Sequence, residues 1–225
     1  SHQKRKAAAL HSMEDALESE LKLDWEKSIG HIRKHIHSSP APRLQHALAA
    51  MITGQASKKQ LREEHIEALK KLDWKGADLL ELNALIEDRK YEKIIRRLSE
   101  KASPSVAEQI ALATAYRETN QLKELVACVY QLSKQEDSSG QIHSVVVSGL
   151  HYLLDHYTEE SDADMLVKLW SYHSNLIQAE PSLLVKHVRA LRIARQDTKA
   201  EQIIASALAS SWCNQLITEY GLLSL

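Results

Sequence analysis

The sequence predicts an all-α protein built as a stack of antiparallel helix pairs. Three observations carry that reading. Turn residues are scarce: the 225 residues include 6 Gly and 4 Pro, where average usage would supply roughly 27 of the two together. Strand formers are thin, with no Phe and one β-branched cluster at Val145, Val146 and Val147. Apolar residues recur at the spacing of one helical face along most of the chain. That leaves too few turn residues for the reversals of a sandwich or barrel. The closest glycines, Gly140 and Gly149, lie nine residues apart. The Gly-rich loops of P-loop and dinucleotide sites are therefore excluded.

The elements follow in order. Lys4 to about Leu23 reads as a helix through Ala8, Leu10, Met13, Ala16 and Leu17. After a break at Asp24, Trp25, Ile29, Ile32 and Ile36 mark a second helical face, closed by Ser38-Ser39-Pro40 because the residue before proline resists helical geometry. Arg43 to about Thr53 is an Ala-rich helix, Gly54 a break, and Ser57 to Lys71 the partner, with Leu61, His65 or Ile66, and Leu69 facing inward. The third pair spans about 75–88 and 90–101. The fourth opens at Pro104, runs through Val106, Ile110, Ala113 and Tyr116, breaks at Asn120-Gln121 and resumes at Leu122, Leu125, Val129 and Leu132.

The first large residue of successive second helices falls at Trp25, near Lys59, at Tyr91 and at Leu122. A helix-turn-helix unit near that step, about 34 residues, is the tetratricopeptide period. The small residues that let paired helices approach are present (Ala47, Ala84, Ala111, Ala190, Ala207), whereas the usual hinge glycines are mostly absent. The expectation is a degenerate tetratricopeptide-like α-solenoid, with an irregular helical bundle as the competing arrangement.

Lys134 to Gly140 is the strongest break. It separates residues 1–135, about four helix pairs, from residues 136–225, which carry two further pairs expected to continue the stack. Beyond it, Ile142 to Tyr157 is helical. Ser161 is expected to cap a helix reaching Ile177, with Asp162 and Asp164 favoured in its first turn by the helix dipole. Pro181 opens a helix to about Arg195, Asp197 or Thr198 caps Lys199 to Ala209, and the tail from Trp212 to Leu225 is mixed. Pro40, Pro104 and Pro181 all fall at expected helix starts, where a missing N–H costs least.

The chain holds 29 basic and 30 acidic residues. Residues 1–100 carry +3 and residues 101–225 carry −4, a dipole too weak to imply nucleic acid. No apolar run is long enough to span a bilayer. Cys128 and Cys213 lie far apart in apolar contexts, which suits a reducing compartment and makes no zinc motif. The chain opens Ser1-His2 rather than with Met, which predicts a fragment excised from a longer protein.

Twelve His residues invite a metal or haem reading. His31 and His35 stand four apart, a spacing that chelates one ion when both lie on one helical face. The alternative is a solvated stripe with Arg33 and Lys34. His151 and His156 flank Leu153 and Leu154 as packing or surface groups. Arg89, Lys90, Lys93, Arg96 and Arg97 make a basic face interleaved with Glu92 and Glu100, either a solvated face laced with ion pairs or a docking patch for an acidic partner. Trp25, Trp74, Trp170 and Trp212 sit near helix boundaries and are expected to plug gaps between pairs. The residues nominate no catalytic, cofactor-binding or metal-binding group.

Two stretches carry a family likeness. One is Lys4-Arg5-Lys6, a helix, then Leu23-Asp24-Trp25-Glu26-Lys27. The other is Leu169-Trp170, Pro181, Ala190 to Asp197, Ala200-Glu201-Gln202-Ile203-Ile204, Ala207-Leu208, Trp212 and Glu219-Tyr220-Gly221-Leu222. In this order and spacing the chain resembles HemY, a family of tetratricopeptide-type membrane proteins encoded with haem-biosynthesis genes in many proteobacteria. It departs from the family in having Leu23 where a hinge glycine is expected. The two transmembrane helices and the later repeats of the family are also missing. The resemblance implies an inner-membrane protein with its repeat domain in the cytoplasm, Lys4-Arg5-Lys6 as the inside flank, and a non-enzymatic scaffolding role among late haem-biosynthesis enzymes. The alternative is a protein that binds or transfers haem or porphyrin. A flavin-dependent protoporphyrinogen oxidase shares the family's name; the absence of G-x-G-x-x-G excludes that fold here.

Overall fold

The computed structural model describes residues 2–137, 140–210 and 213–224. Among them are thirteen α-helices, one 3-10 turn and no strand. The protein is all-α. The first seven helices are α1 (His2–Leu21), α2 (Trp25–Lys34), α3 (Pro42–Gln55), α4 (Lys59–Lys71), α5 (Ala77–Glu87), α6 (Tyr91–Leu98) and α7 (Val106–Glu118). They are followed by α8 (Leu122–Leu132), α9 (Gln141–Glu159), α10 (Ala163–Ala179), α11 (Pro181–Ile193), α12 (Asp197–Ser210) and α13 (Asn214–Tyr220). The 3-10 turn, Ile36–Ser38, follows α2. None of these helices is long and apolar enough to cross a membrane.

One turn recurs along the chain. Leu23, Ser57, Asp73, Arg89, Asn120, Ser161 and Arg195 all take φ between 51° and 59°. Each stands two residues beyond the end of a helix: α1, α3, α4, α5, α7, α9 and α11. The hydrogen bonds are the same each time. The Leu23 N–H donates to the Glu20 carbonyl at 2.8 Å and the Asp24 N–H to the Ser19 carbonyl at 2.9 Å. The Ser161 N–H donates to Thr158 at 3.1 Å and the Asp162 N–H to Tyr157 at 2.9 Å. This closure satisfies the carbonyls that a helix C-terminus leaves unpaired. After six of the seven turns the next helix begins two residues later, at Trp25, Lys59, Tyr91, Leu122, Ala163 and Asp197. The missing hinge glycines are therefore replaced by ordinary residues held in the glycine conformation.

Several boundaries differ from the sequence reading. Gly54 is not a break; it lies in the last turn of α3, and the chain reverses at Ser57. Ser161 is not a cap, because its left-handed backbone ends α9; Asp162 caps α10 by accepting from the Met165 N–H at 3.0 Å. Pro42, not Pro40, occupies the first turn of α3, as Pro181 does in α11. Pro104 precedes the cap residue Ser105, whose side chain and that of Glu108 cap each other's backbone at the start of α7. α2 ends at Lys34, short of Ile36. Within the tail, Asn214–Tyr220 forms α13; Trp212 lies outside the described residues.

The chain divides into two compact units, Ser1–Lys90 and Tyr91–Leu225. In the first, α1 packs on α2, α2 on α3, α3 on α4 and α5, and α4 on α5. Met13, Ala16, Ile29, Ile32, Ala49 and Ile52 form its main apolar cluster. Buried side chains finish α2: the Ser12 hydroxyl donates to the His31 carbonyl, and Gln45 Nε2 to the Ile32 carbonyl at 2.5 Å.

In the second unit α6 packs on α7, and α7, α9 and α11 each pack on the two helices that follow. Its interior is richer in leucine, with Leu150, Leu153, Leu154, Leu166 and Leu169 fully buried. Each such side chain contributes about 1.5–3 kcal/mol relative to exposure. A Cβ on Gly149 would sit 2.7 Å from Val129 Cγ2, so the approach of α8 to α9 requires glycine there. The polar stretch after Lys134 joins these two packed helices.

Candidate functional site

α2, the 3-10 turn, α3 and α4 enclose a groove of about 630 Å³. Ile29 and Ile36 supply apolar wall, Arg33, Lys34 and His37 lie along the α2 side, and His46, Glu64 and His65 face them from α3 and α4. The α3–α4 turn at Ser57 folds the two helices together and brings His46 onto His65. Their Nδ1 atoms stand 3.1 Å apart and their ring centroids 5.3 Å.

His65 is nearly buried and its Nε2 has no hydrogen-bond partner. Burial, with smaller contributions from the His46 and Arg33 charges, brings its pKa down to about 4. Burial and then the His37 charge also lower that of His46. Both rings are therefore neutral at pH 7, and one Nδ1 donates to the other.

A second polar cluster in the same unit is charged. The Asp88 carboxylate lies 2.9 Å from Lys59 Nζ, 2.9 Å from Arg62 Nη2 and 3.3 Å from Lys90 Nζ. Arg62 Nη1 also meets Glu87 at 2.5 Å. The side chains of Arg62 and Asp88 are 6% and 5% exposed. Burial alone would raise the Asp88 pKa; hydrogen bonds from Lys59, Arg62 and Lys90 and the Arg62 charge outweigh it and hold the carboxyl at about 2. Each charge of this cluster lies within ion-pair distance of an opposite one.

The residues singled out from sequence fall as follows. His35 falls just past the end of α2, with φ −125° and ψ 20° in place of helical angles. His31 Nδ1 lies 3.8 Å from Asp15 on α1. His151 contacts Lys186 and Ser182, and His156 pairs with Glu160 at 3.1 Å. Within the basic run, Arg89 forms the turn, Lys90 pairs with Glu63 and Asp88, and Lys93, Arg96 and Arg97 are exposed on α6. Lys4, Arg5 and Lys6 are exposed on α1.

Trp25 and Trp74 pack against apolar clusters of the first unit, and Trp170 stacks on the fully buried His187 with ring centroids 5.3 Å apart. Cys128 is a partly buried thiol donating to the Gln109 carbonyl, with burial pushing its pKa up to about 11. Cys213 is also free. Among the described residues no three His, Cys, Asp or Glu side chains converge closely enough to hold a metal ion.

Sequence reasoning missed the His46–His65 contact, the Arg62–Asp88 cluster and the buried His173 and His187. The first had a usable signal. His46 and His65 lie at similar distances on either side of the Ser57 turn, so a folded hairpin sets them opposite each other. No family model, curated protein or solved structure matches the chain.

Proposed function

We propose that the chain is a non-enzymatic interaction scaffold whose helices stack as degenerate tetratricopeptide-like pairs. The observation that carries this reading is the recurrence of the left-handed turn at Leu23, Ser57, Arg89, Asn120, Ser161 and Arg195, at steps of 34, 32, 31, 41 and 34 residues, with a seventh such turn at Asp73 midway through the second step. Within each unit, the turns at Leu23, Ser57, Asn120, Ser161 and Arg195 lie between helices that pack on each other, as the hinges of such repeats do. The longer step contains the polar stretch from Lys134 to Gly140. Stacked pairs present grooves in which a partner peptide or helix can lie.

The resemblance to HemY adds the setting: tethering to the bacterial inner membrane through a segment before Lys4, a cytoplasmic repeat domain, and partners among late haem-biosynthesis enzymes. Affinity capture with the intact membrane-tethered protein tests it. Enrichment of those enzymes is the expected result, and their absence from the captured set rejects the haem-pathway assignment.

One observation favours haem or porphyrin binding as a second reading. The groove beside α2 combines imidazoles with Arg33 and Lys34, cations suited to carboxylate-bearing ligands. A Soret-band titration checks it. A shift that His65→Ala and His46→Ala leave unchanged rejects ligation there.

A further inference from the structure

We propose that His46 and His65 form a binding site for a divalent transition-metal ion of the Zn²⁺ or Cu²⁺ type. The inference stands apart from the scaffold reading and requires no haem.

The spacing carries it. Two nitrogens each about 2.0–2.1 Å from one zinc ion stand about 3.3 Å apart at a tetrahedral angle and about 2.9 Å apart at a right angle. The Nδ1 atoms of His46 and His65 stand 3.1 Å apart. A proton bridges them when the site is free, and a metal ion fits the same gap with a small opening of the rings. Both imidazoles are neutral near pH 7, as metal ligation requires. Binding then shifts one ring from its Nδ1–H to its Nε2–H tautomer, with no net loss of a proton. Burial also holds the His65 ring in place, so little side-chain freedom is lost on binding.

The surroundings set the class and the limits of the ligand. Imidazole donors select zinc, copper and nickel over magnesium and calcium. Glu64, beside His65 in the chain and also lining the groove, supplies countercharge, and no third protein ligand converges on the pair among the described residues. Arg33 and Lys34 oppose a cation, but both side chains are exposed and their charges are screened by solvent. Two converging ligands leave the remaining coordination positions open to water. The pairing crosses a helix hairpin, which explains why the local spacing of His31 and His35 pointed elsewhere.

The test is a Zn²⁺ titration of the folded chain followed by calorimetry and by long-range ¹H–¹⁵N NMR of the histidine rings. One equivalent is expected to shift the Nδ1 resonances of His46 and His65 before those of the other histidines. His46→Ala, at a half-buried position, is expected to weaken binding by at least about tenfold, the loss that even outer-shell changes produce. His31→Ala is expected to leave it unchanged. The NMR readout needs no variant and so stands even if a substitution disturbs folding. First shifts at other histidines, or an affinity unaltered in a folded His46→Ala protein, overturn the proposal.

Discussion

Each compact unit buries a paired charge, but among the described residues only the second buries imidazoles with no hydrogen-bond partner on either nitrogen. In residues Ser1–Lys90 the interior charge is paired: Arg62 and Asp88 lie 2.9 Å apart, with Glu87, Lys59 and Lys90 at the margin, although Arg62 Nε has no hydrogen-bond partner. In residues Tyr91–Leu225 the deeply buried His173 and His187 have no hydrogen-bond partner on either ring nitrogen. The same unit buries the Glu219 carboxylate between Arg189, at 2.7 Å, and Arg192, at 3.0 Å. A paired charge shows its cost when one partner is removed. An orphan imidazole is tolerated while neutral and shows its cost when it must take up a proton.

Acid is the strongest way to break this contrast. Burial lowers the pKa of His173 and His187 to about 4 each, against roughly 6.5 in the unfolded chain. Their folded pKa values are depressed, so the unfolded state binds more protons. Stability is full above about 6.5 and falls as pH drops toward 4. The loss is about 3 kcal/mol for each histidine at the end of that window. The first unit has one such group, His65, in the same window. Its Asp88 cluster is lost only as pH falls from the ordinary value of 3.8 toward about 2. Hydrogen exchange measured against pH is expected to show α10 and α11 losing protection before α4 and α5. The reverse order would break the comparison.

Asp88→Asn comes next. It leaves Arg62, Lys59 and Lys90 around a neutral amide, and the expected loss is about 3 kcal/mol in urea unfolding. Glu219→Gln is expected to cost about 2 kcal/mol, read as faster exchange in α13, since Arg189 and Arg192 retain an oxygen acceptor but lose the charge. The smallest effect is at the turns. Leu23→Gly is expected to stabilise by about 1 kcal/mol, because a leucine in the left-handed region carries steric strain that glycine lacks. Asn120→Gly in the second unit should change less, since asparagine tolerates that conformation. Equal effects at the two turns would remove the steric explanation.

The helices were legible because their apolar residues are regularly spaced. Trp25, Ile29 and Ile32 mark one face of α2 whatever the rest of the chain does. The hinge positions were legible from the same breaks in periodicity, but their geometry was not. Nothing local announces that Leu23 or Arg195 will adopt a glycine conformation. The demand comes from closing the preceding helix while the next helix packs back. Ser161 and Asp162 show the same limit, since either can cap by composition and only the end of α9 decides which one is free to do so. Gly54 was read as a break from its identity, yet α3 runs through it, its tertiary contacts overriding a weak propensity.

The candidate site was less legible. His31 and His35 looked like a chelating pair because spacing along a helix is visible in sequence. α2 ends at Lys34, before His35, and the Ser57 turn brings together another pair from residues on separate helices. His173 and His187 carry no signal that they are buried, because a histidine on a helix suits the surface as readily as the core.

By itself, the sequence determined that this protein is all-helical, where most helices begin and end, and the near-regular step between turns. These follow from side-chain periodicity and backbone propensity, which act within a few residues. Tertiary structure alone decided which polar groups meet: Asp88 with its three cations, His46 with His65, Glu219 with two arginines. Such contacts join residues on separate helices. Their energetics depend on burial, which is set only when the helices pack.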